Sequence, residues 1–120
     1  MGKDTVVIGG TSSEEKYGYK ATVSLKMHGH KVYPVDLRPG KIQDIEVLTG
    51  KPSIQNVDTV TMYVGPKHQA DWQDYIFSLN PKRLIFNPGT ENEVLEAAAK
   101  AKGIETVEAC TLVMLSIGNY

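Results

Sequence analysis

Short runs of β-branched and aliphatic residues recur along the chain and alternate with stretches of helical spacing. Five runs predict strands, at Thr5–Ile8, Lys31–Asp36, Asp58–Val64, Arg83–Phe86 and Ile104–Val107. This α/β alternation is typical of a parallel sheet, because each crossover carries a helix that covers one face. We expect a three-layer α/β fold with a five-stranded parallel sheet in the order 3-2-1-4-5 and helices on both faces.

Apolar residues at i, i+3, i+4 and i+7 predict three helices between these strands. The predicted buried faces are Ala21, Ser24, Leu25 and His28, then Trp72, Tyr75, Ile76 and Leu79, and finally Val94, Ala97, Ala98 and Ala101. Thr90 and Glu93 match a capping box, so we expect Thr90 to cap the third helix. The apolar tail Thr111–Ile117 is expected to form a short fourth helix.

Two features interrupt the regular alternation. Pro34 has no N–H to donate to a ladder, so we expect the second strand to lie at an edge of the sheet or to pair irregularly there. The residues from Leu37 to Asn56 follow neither the helical nor the strand period, and they contain the turn signals Pro39-Gly40 and Gly50-Lys51-Pro52. We expect an irregular excursion there.

Length and composition narrow the class of protein. The 120 residues predict one domain over 1–120, and the balance of 13 basic and 14 acidic side chains argues against a nucleic-acid binder. No apolar run approaches the roughly 18 residues that span a bilayer. The single cysteine, Cys110, excludes an internal disulfide and a cysteine metal cluster. A soluble cytoplasmic protein without membrane contact is the expectation.

The carboxyl ends of parallel strands are where such folds bind ligands. Four segments should meet there, Gly9–Ser13, Asp36–Arg38, Val64–Pro66 and Asn87–Thr90. A glycine turn before a helix offers bare amides and a partial positive charge to a phosphate, and Thr11, Ser12 and Ser13 add hydroxyls. The alternative is an ordinary strand–helix turn in which Ser12 or Ser13 caps the helix. Spacing alone leaves both open.

Known catalytic and nucleotide motifs match incompletely. Ser13 stands where a third glycine of a dinucleotide-binding fingerprint would fall, and no P-loop lysine follows. Asp36 either holds a ribose hydroxyl, as in NAD-binding folds, or is a solvated strand-end carboxylate. His28, His30 and His68 lie near no carboxylate or cysteine at ligand spacing, so no metal is expected. Cys110 is either an inert thiol or one that meets a ligand thiol.

The order and spacing of five stretches resemble the small stand-alone CoA-binding domain proteins, whose fold is like the N-terminal domain of the succinyl-CoA synthetase α-subunit. The stretches are Val7–Ser12, His28–Asp36, Thr49–Ile54, Asn87–Asn92 and Val107–Val113. This resemblance implies a Rossmann-like domain without an attached catalytic domain. The chain departs from its relatives after the second strand, where Asp36-Leu37-Arg38 replaces the usual Asn-Pro-Lys. It departs again after the third strand, where Tyr63-Val64 replaces Phe-Arg.

The resemblance also implies how coenzyme A (CoA) would be held. The diphosphate would lie on Gly9, Thr11, Ser12 and Ser13, with Gly10 in the same turn, and Lys20 would reach a phosphate. The remaining implied contacts are Val35, Asp36 and Arg38 at the adenosine, Val64 and Pro66 at the adenine, and Asn87, Pro88 and Gly89 at the pantetheine arm.

The sequence therefore predicts a non-catalytic CoA-binding module. An NAD(H)- or other adenine-nucleotide-binding module is the first alternative, and an interaction domain with a decayed nucleotide site is the second. An enzyme is not expected, because the chain offers no substrate domain and no convincing acid–base pair. The apolar segment Leu112–Leu115 leaves a homodimer open.

Overall fold

A five-stranded parallel sheet forms the centre of the fold in a computed structural model that describes residues 2–120. The strands are β1 (Thr5–Ile8), β2 (Val32–Val35), β3 (Gly40–Ile42), β4 (Ile45–Val47), β5 (Thr59–Met62), β6 (Arg83–Phe86) and β7 (Glu105–Glu108). The helices are α1 (Tyr17–Met27), α2 (Ala70–Ser78), α3 (Glu93–Ala101) and α4 (Thr111–Ser116), with a 3₁₀ turn at Pro66–His68.

The large sheet has the order β2-β1-β5-β6-β7. A parallel bridge between Val35 and Leu48 adds a further position outside β2. If the positions are numbered in chain order with Leu48 as the third, the sheet reads 3-2-1-4-5 from the Leu48 edge, and β7 follows as a sixth position. The predicted Rossmann-like α/β fold is confirmed. The assignment of the third position to Asp58–Val64 is wrong. Leu48 occupies the edge beside β2, and β5 pairs with β1, in the register Thr5 with Thr59.

The predicted irregular excursion contains a small antiparallel hairpin. β3 and β4 pair through Gly40 with Val47 and Ile42 with Ile45. Ile42 and Val47 are buried. Strands of three residues are too short to show a two-residue period, which is why the sequence pattern does not reveal them.

Successive side chains of the central strands point to opposite faces of the sheet, and each face has its own apolar core. The larger core contains Val6 and Ile8 of β1 together with α2 and α3 side chains such as Trp72 and Leu95. The smaller core joins Val7 to Leu25 of α1 and Leu115 of α4. The prediction of helices on both faces is therefore confirmed.

The helix faces were predicted with mixed success. All four apolar residues assigned to α2 are buried. The face assigned to α3 is wrong, since Val94 is 77% exposed and the buried residues are Leu95 and Ala99. The capping box is also wrong, because Asn92 accepts a hydrogen bond from the Leu95 amide at 3.1 Å and forms the N-cap.

Candidate functional site

Three adjoining cavities form one groove along the carboxyl edge of the sheet, called here the carboxyl-edge groove. The central cavity, about 430 Å³, lies over Gly9 and the start of α1. A second, about 450 Å³, extends towards the end of β2 and Arg38. A third, about 230 Å³, ends at Cys110. Tyr63 lines all three cavities, so they form a continuous path.

The turn after β1 is tightly fixed at the centre of this groove. Gly9 has a φ of 90°, a conformation that glycine adopts at little cost. The amides of Gly9 and Gly10 both donate to the Val35 carbonyl, at 2.9 and 3.1 Å. A Cβ atom on Gly18 would lie 2.0 Å from the Gly9 carbonyl oxygen. The first turn of α1 therefore sits directly against the glycine turn.

The N-terminus of α1 lacks a side-chain cap within the described chain. The helix begins at Tyr17, after Lys16 at the N-cap position. The alternative reading, in which Ser12 or Ser13 caps the helix, is therefore wrong. The reason is the length of the loop: Lys16 donates its amide to the Ser13 carbonyl at 3.0 Å, which keeps both serines a turn before the helix. Uncapped first-turn amides and the helix dipole favour an anion at this position.

Most of the residues predicted to contact the ligand line this groove. They are Gly9, Thr11, Ser12, Ser13, Asp36, Arg38, Val64, Asn87, Pro88 and Gly89. Four others do not line it. Gly10 packs on Pro34, Val35 is buried at the end of β2, and Pro66 starts the exposed 3₁₀ turn. Lys20 places its Nζ 5.1 Å from the centre of the Tyr17 ring.

The charges in the groove have both signs. Lys16 lines the central cavity and the cavity towards β2. Glu15 lies with it in the central cavity, whereas Asp36 and Arg38 lie together at the β2 end. An anionic group is therefore expected to bind near Lys16 and the start of α1. A hydroxyl group can donate a hydrogen bond to the Asp36 carboxylate at the β2 end.

Asn87 uses its side-chain amide within the fold. Its Nδ2 donates to Thr61 Oγ1 at 2.7 Å and to the Met62 carbonyl at 2.9 Å. Its Oδ1 accepts from the Thr111 amide at 2.8 Å. The side chain thus joins β6, β5 and α4, and it forms the floor of the narrow cavity with its amide group already bonded.

No motif in the sequence marks Tyr17 or Gly18 as part of the groove lining, and the family resemblance marks Tyr63 only as a departure from the usual Phe near the adenosine. Tyr17 and Gly18 follow the glycine turn at a distance set by the loop length, and Tyr63 follows β5 as an aromatic residue at a strand end. The Tyr63 hydroxyl is buried and has no hydrogen-bond partner among the described residues. Burial raises the pKa of this phenol, so it remains protonated at neutral pH.

Residues 2–120 contain no group of three or more histidine, cysteine, aspartate or glutamate side chains placed to hold a metal ion. None of the helices in that part of the chain has the length and apolar character needed to cross a bilayer.

Comparison with known proteins places the chain among small α/β proteins. It superposes on the crystal structure of an uncharacterized protein with a TM-score of 0.97 and 46% identity, covering 100% of this chain and 99% of that one. A hypothetical protein from Pyrococcus horikoshii OT3 matches with a TM-score of 0.83 and 19% identity, over 96% of this chain and 82% of the other. No curated protein sequence matches.

A conserved hypothetical protein from Pyrococcus furiosus has the same fold, with a TM-score of 0.80, 23% identity, and coverage of 92% of this chain and 97% of the other. The sequence profile of the family described as "CoA binding domain" matches residues 3–116. That match spans nearly all of the chain. The chain therefore belongs to the CoA-binding domain family.

Proposed function

We propose that this chain is a non-catalytic module that binds coenzyme A in the carboxyl-edge groove. The observation that carries the proposal is the uncapped N-terminus of α1, which faces a cavity directly over the glycine turn. A diphosphate placed there would accept hydrogen bonds from first-turn amides and meet the positive end of the helix dipole. Membership of the CoA-binding domain family supports the choice of ligand.

The shape of the groove suits a long ligand with a charged middle. Adenosine would occupy the cavity that Asp36 and Arg38 line, and the diphosphate would lie beside Lys16. The pantetheine arm would enter the narrow cavity between Tyr17 and Pro88 and point its thiol towards Cys110. Because Gly18 has no side chain, the first turn of α1 can lie against the Gly9 carbonyl, beside this path.

The non-catalytic part of the proposal rests on the groove lining. The titratable side chains that the described residues bring to it are those of Glu15, Lys16, Tyr17, Asp36, Arg38, Tyr63 and Cys110. Histidine, the usual partner that activates a thiol, is not among them. A pair of groups at hydrogen-bond distance that could act as acid and base is also not seen among these side chains in the described structure.

NAD(H) or another adenine nucleotide is the second candidate, and Asp36 favours it. This carboxylate lines the cavity at the end of β2. Dinucleotide-binding folds place an acid at that position to accept hydrogen bonds from the ribose hydroxyls. The same carboxylate disfavours a ribose phosphate beside it, while the neighbouring Arg38 favours one.

Calorimetric titration of the whole chain with CoA, dephospho-CoA and NAD separates these candidates. The proposal predicts that CoA binds more tightly than NAD. Equal affinity for CoA and dephospho-CoA would mean that Arg38 does not contact the 3′-phosphate. Tighter binding of NAD would favour the second candidate, and no binding of any ligand at millimolar concentration would favour an interaction domain with a decayed site.

A double substitution tests the location. Ser12→Glu with Ser13→Glu should weaken CoA binding at least 100-fold, because two carboxylates would meet the diphosphate. The control variant Ser53→Glu with Gln55→Glu adds the same charge at exposed residues outside the groove. Its affinity for CoA should stay within about twofold of the wild-type value. Equal affinity of both double variants would place the ligand elsewhere.

A further inference from the structure

Gln69 joins two loops that border the carboxyl-edge groove. The residue lies between the 3₁₀ turn and α2, and it is only 1% exposed. Its Nε2 donates to the Val64 carbonyl at 2.9 Å and to the Thr90 carbonyl at 2.7 Å. Both amide protons are thus used on main-chain oxygens from different loops.

The two bonded carbonyls belong to the loops that follow two neighbouring strands, β5 and β6, and both loops border the groove. Val64 follows β5 and lines the cavity towards β2, and its neighbour Gly65 lines the central cavity. Thr90 follows β6 and also lines the central cavity, next to Gly89. In addition to the Asn87 bonds at the strand ends, Gln69 therefore links the two loops through a side chain that itself does not line the groove.

The orientation of the Gln69 amide is also fixed. Asn92 donates from Nδ2 to Gln69 Oε1 at 3.0 Å, while its own Oδ1 caps α3. An apolar side chain of the same size would fill this space and leave two buried carbonyls without donors. A buried polar network in which every member is bonded specifies one arrangement of its loops.

We propose that Gln69 is a positioning residue that holds the β5 and β6 loops at the separation required by the central part of the ligand. The ligand part of this proposal rests on the proposed function. Of the two loops, only the β5 loop lines the adenosine cavity at the β2 end, through Val64, so adenosine depends less on their separation. The diphosphate and the pantetheine arm pass between the two loops, so their contacts depend on it directly.

The test compares CoA with adenosine 3′,5′-bisphosphate, which lacks the pantetheine arm. Gln69→Met should weaken CoA binding by at least about tenfold and binding of the bisphosphate by less than about twofold. Asn92→Ser keeps a capping oxygen on α3 and removes only the bond to Gln69, so it should give a smaller loss of the same kind. Ile104→Ala, a buried change away from the groove, should lower the melting temperature and leave both affinities unchanged.

Unchanged CoA affinity in Gln69→Met would overturn the proposal. It would also be overturned if Gln69→Met weakened the binding of both ligands equally and Ile104→Ala weakened both to the same extent. Hydrogen exchange provides a readout without ligand. The His68 amide donates to Gly65 and the Thr90 amide donates to Asn87, so both report on the two loops. Both amides should exchange faster in Gln69→Met than in Ile104→Ala. If Gln69→Met does not fold, the same comparison is made with Asn92→Ser. Equal exchange would overturn the proposal even if the wild-type chain fails to bind CoA.

Discussion

Two of the glycine-containing loops that connect a strand to a helix at the carboxyl edge are built in opposite ways. In the loop from Gly9 to Lys16, the following helix α1 has no side-chain cap within the described residues. In the loop from Asn87 to Asn92, polar side chains are bonded to the fold itself. Thr90 donates to the Asn87 carbonyl at 2.7 Å, and Asn92 caps α3.

This difference separates a loop that can receive a ligand from one that shapes the groove. Free amides at a helix N-terminus are a source of binding energy for an anion. Hydrogen-bonded side chains make a loop rigid, because breaking their hydrogen bonds leaves buried polar groups unpaired. Substitutions in the first loop should therefore act mainly on binding, and substitutions in the second mainly on folding.

The largest expected effect on folding comes from Asn87→Ala. The change removes the acceptor of the buried Thr111 amide and the donor to Thr61 Oγ1 and the Met62 carbonyl, while Thr61 keeps its bond to Thr111 Oγ1. It should lower the free energy of unfolding by about 3 kcal/mol or more. Urea denaturation measures it. Asn119→Ala, at an exposed asparagine, should stay within about 0.5 kcal/mol of wild type. Similar values for the two variants would contradict the structural role of Asn87.

Gly18→Ala tests the first loop. A Cβ atom 2.0 Å from the Gly9 carbonyl oxygen must push α1 away from the turn, which should cost about 1–3 kcal/mol of stability. Because the helix N-terminus moves, CoA affinity should fall more than tenfold. Gly65→Ala serves as the stability control, since a Cβ there meets nothing within 4 Å. A Gly18→Ala variant with full affinity would show that this contact does not matter to binding.

Asn92→Ala should have a smaller effect on folding. It removes the N-cap of α3 and should cost about 1 kcal/mol in the free energy of unfolding. Thermal and urea unfolding both report it. The matched variant Asn92→Ser keeps a capping oxygen but not the donor to Gln69 Oε1, so it should recover the part of the loss that comes from the cap. A loss in Asn92→Ser as large as in Asn92→Ala would argue against capping as the cause.

The smallest effect is expected for Tyr63→Phe. The hydroxyl is buried and unpaired among the described residues, so its removal should leave stability unchanged or raise it by up to about 1 kcal/mol. CoA affinity should be retained, because the ring that lines the groove remains. A loss of affinity greater than about tenfold would show that the bound ligand uses the hydroxyl.

The sequence predicted the elements whose signal is local. Residues Thr5–Ile8 and Arg83–Phe86 are strands with the predicted bounds, because β-branched and aliphatic runs favour buried strands. The face of α2 followed from large apolar residues at helical spacing. The face of α3 did not, because alanines mark a buried face weakly and Leu95 decides the orientation instead.

Features that depend on distant contacts were not predictable in this way. β5 pairs with β1, and Leu48 lies at the other edge beside β2; no local period shows either pairing. The strand ends correctly indicated where the groove lies. They did not indicate Tyr63 or Gly18, since their places in the lining depend on how α1 and β5 pack against the turn.

The most direct test of the account is an NMR titration of the labelled chain with CoA, following the backbone amides. The account predicts that the largest chemical-shift changes occur between Ser12 and Tyr19, across the glycine turn and the first turn of α1. Changes confined to the loop from Asn87 to Asn92, or to the opposite edge of the sheet, would contradict it. Such a result would mean that the uncapped helix N-terminus is not where the ligand's diphosphate binds.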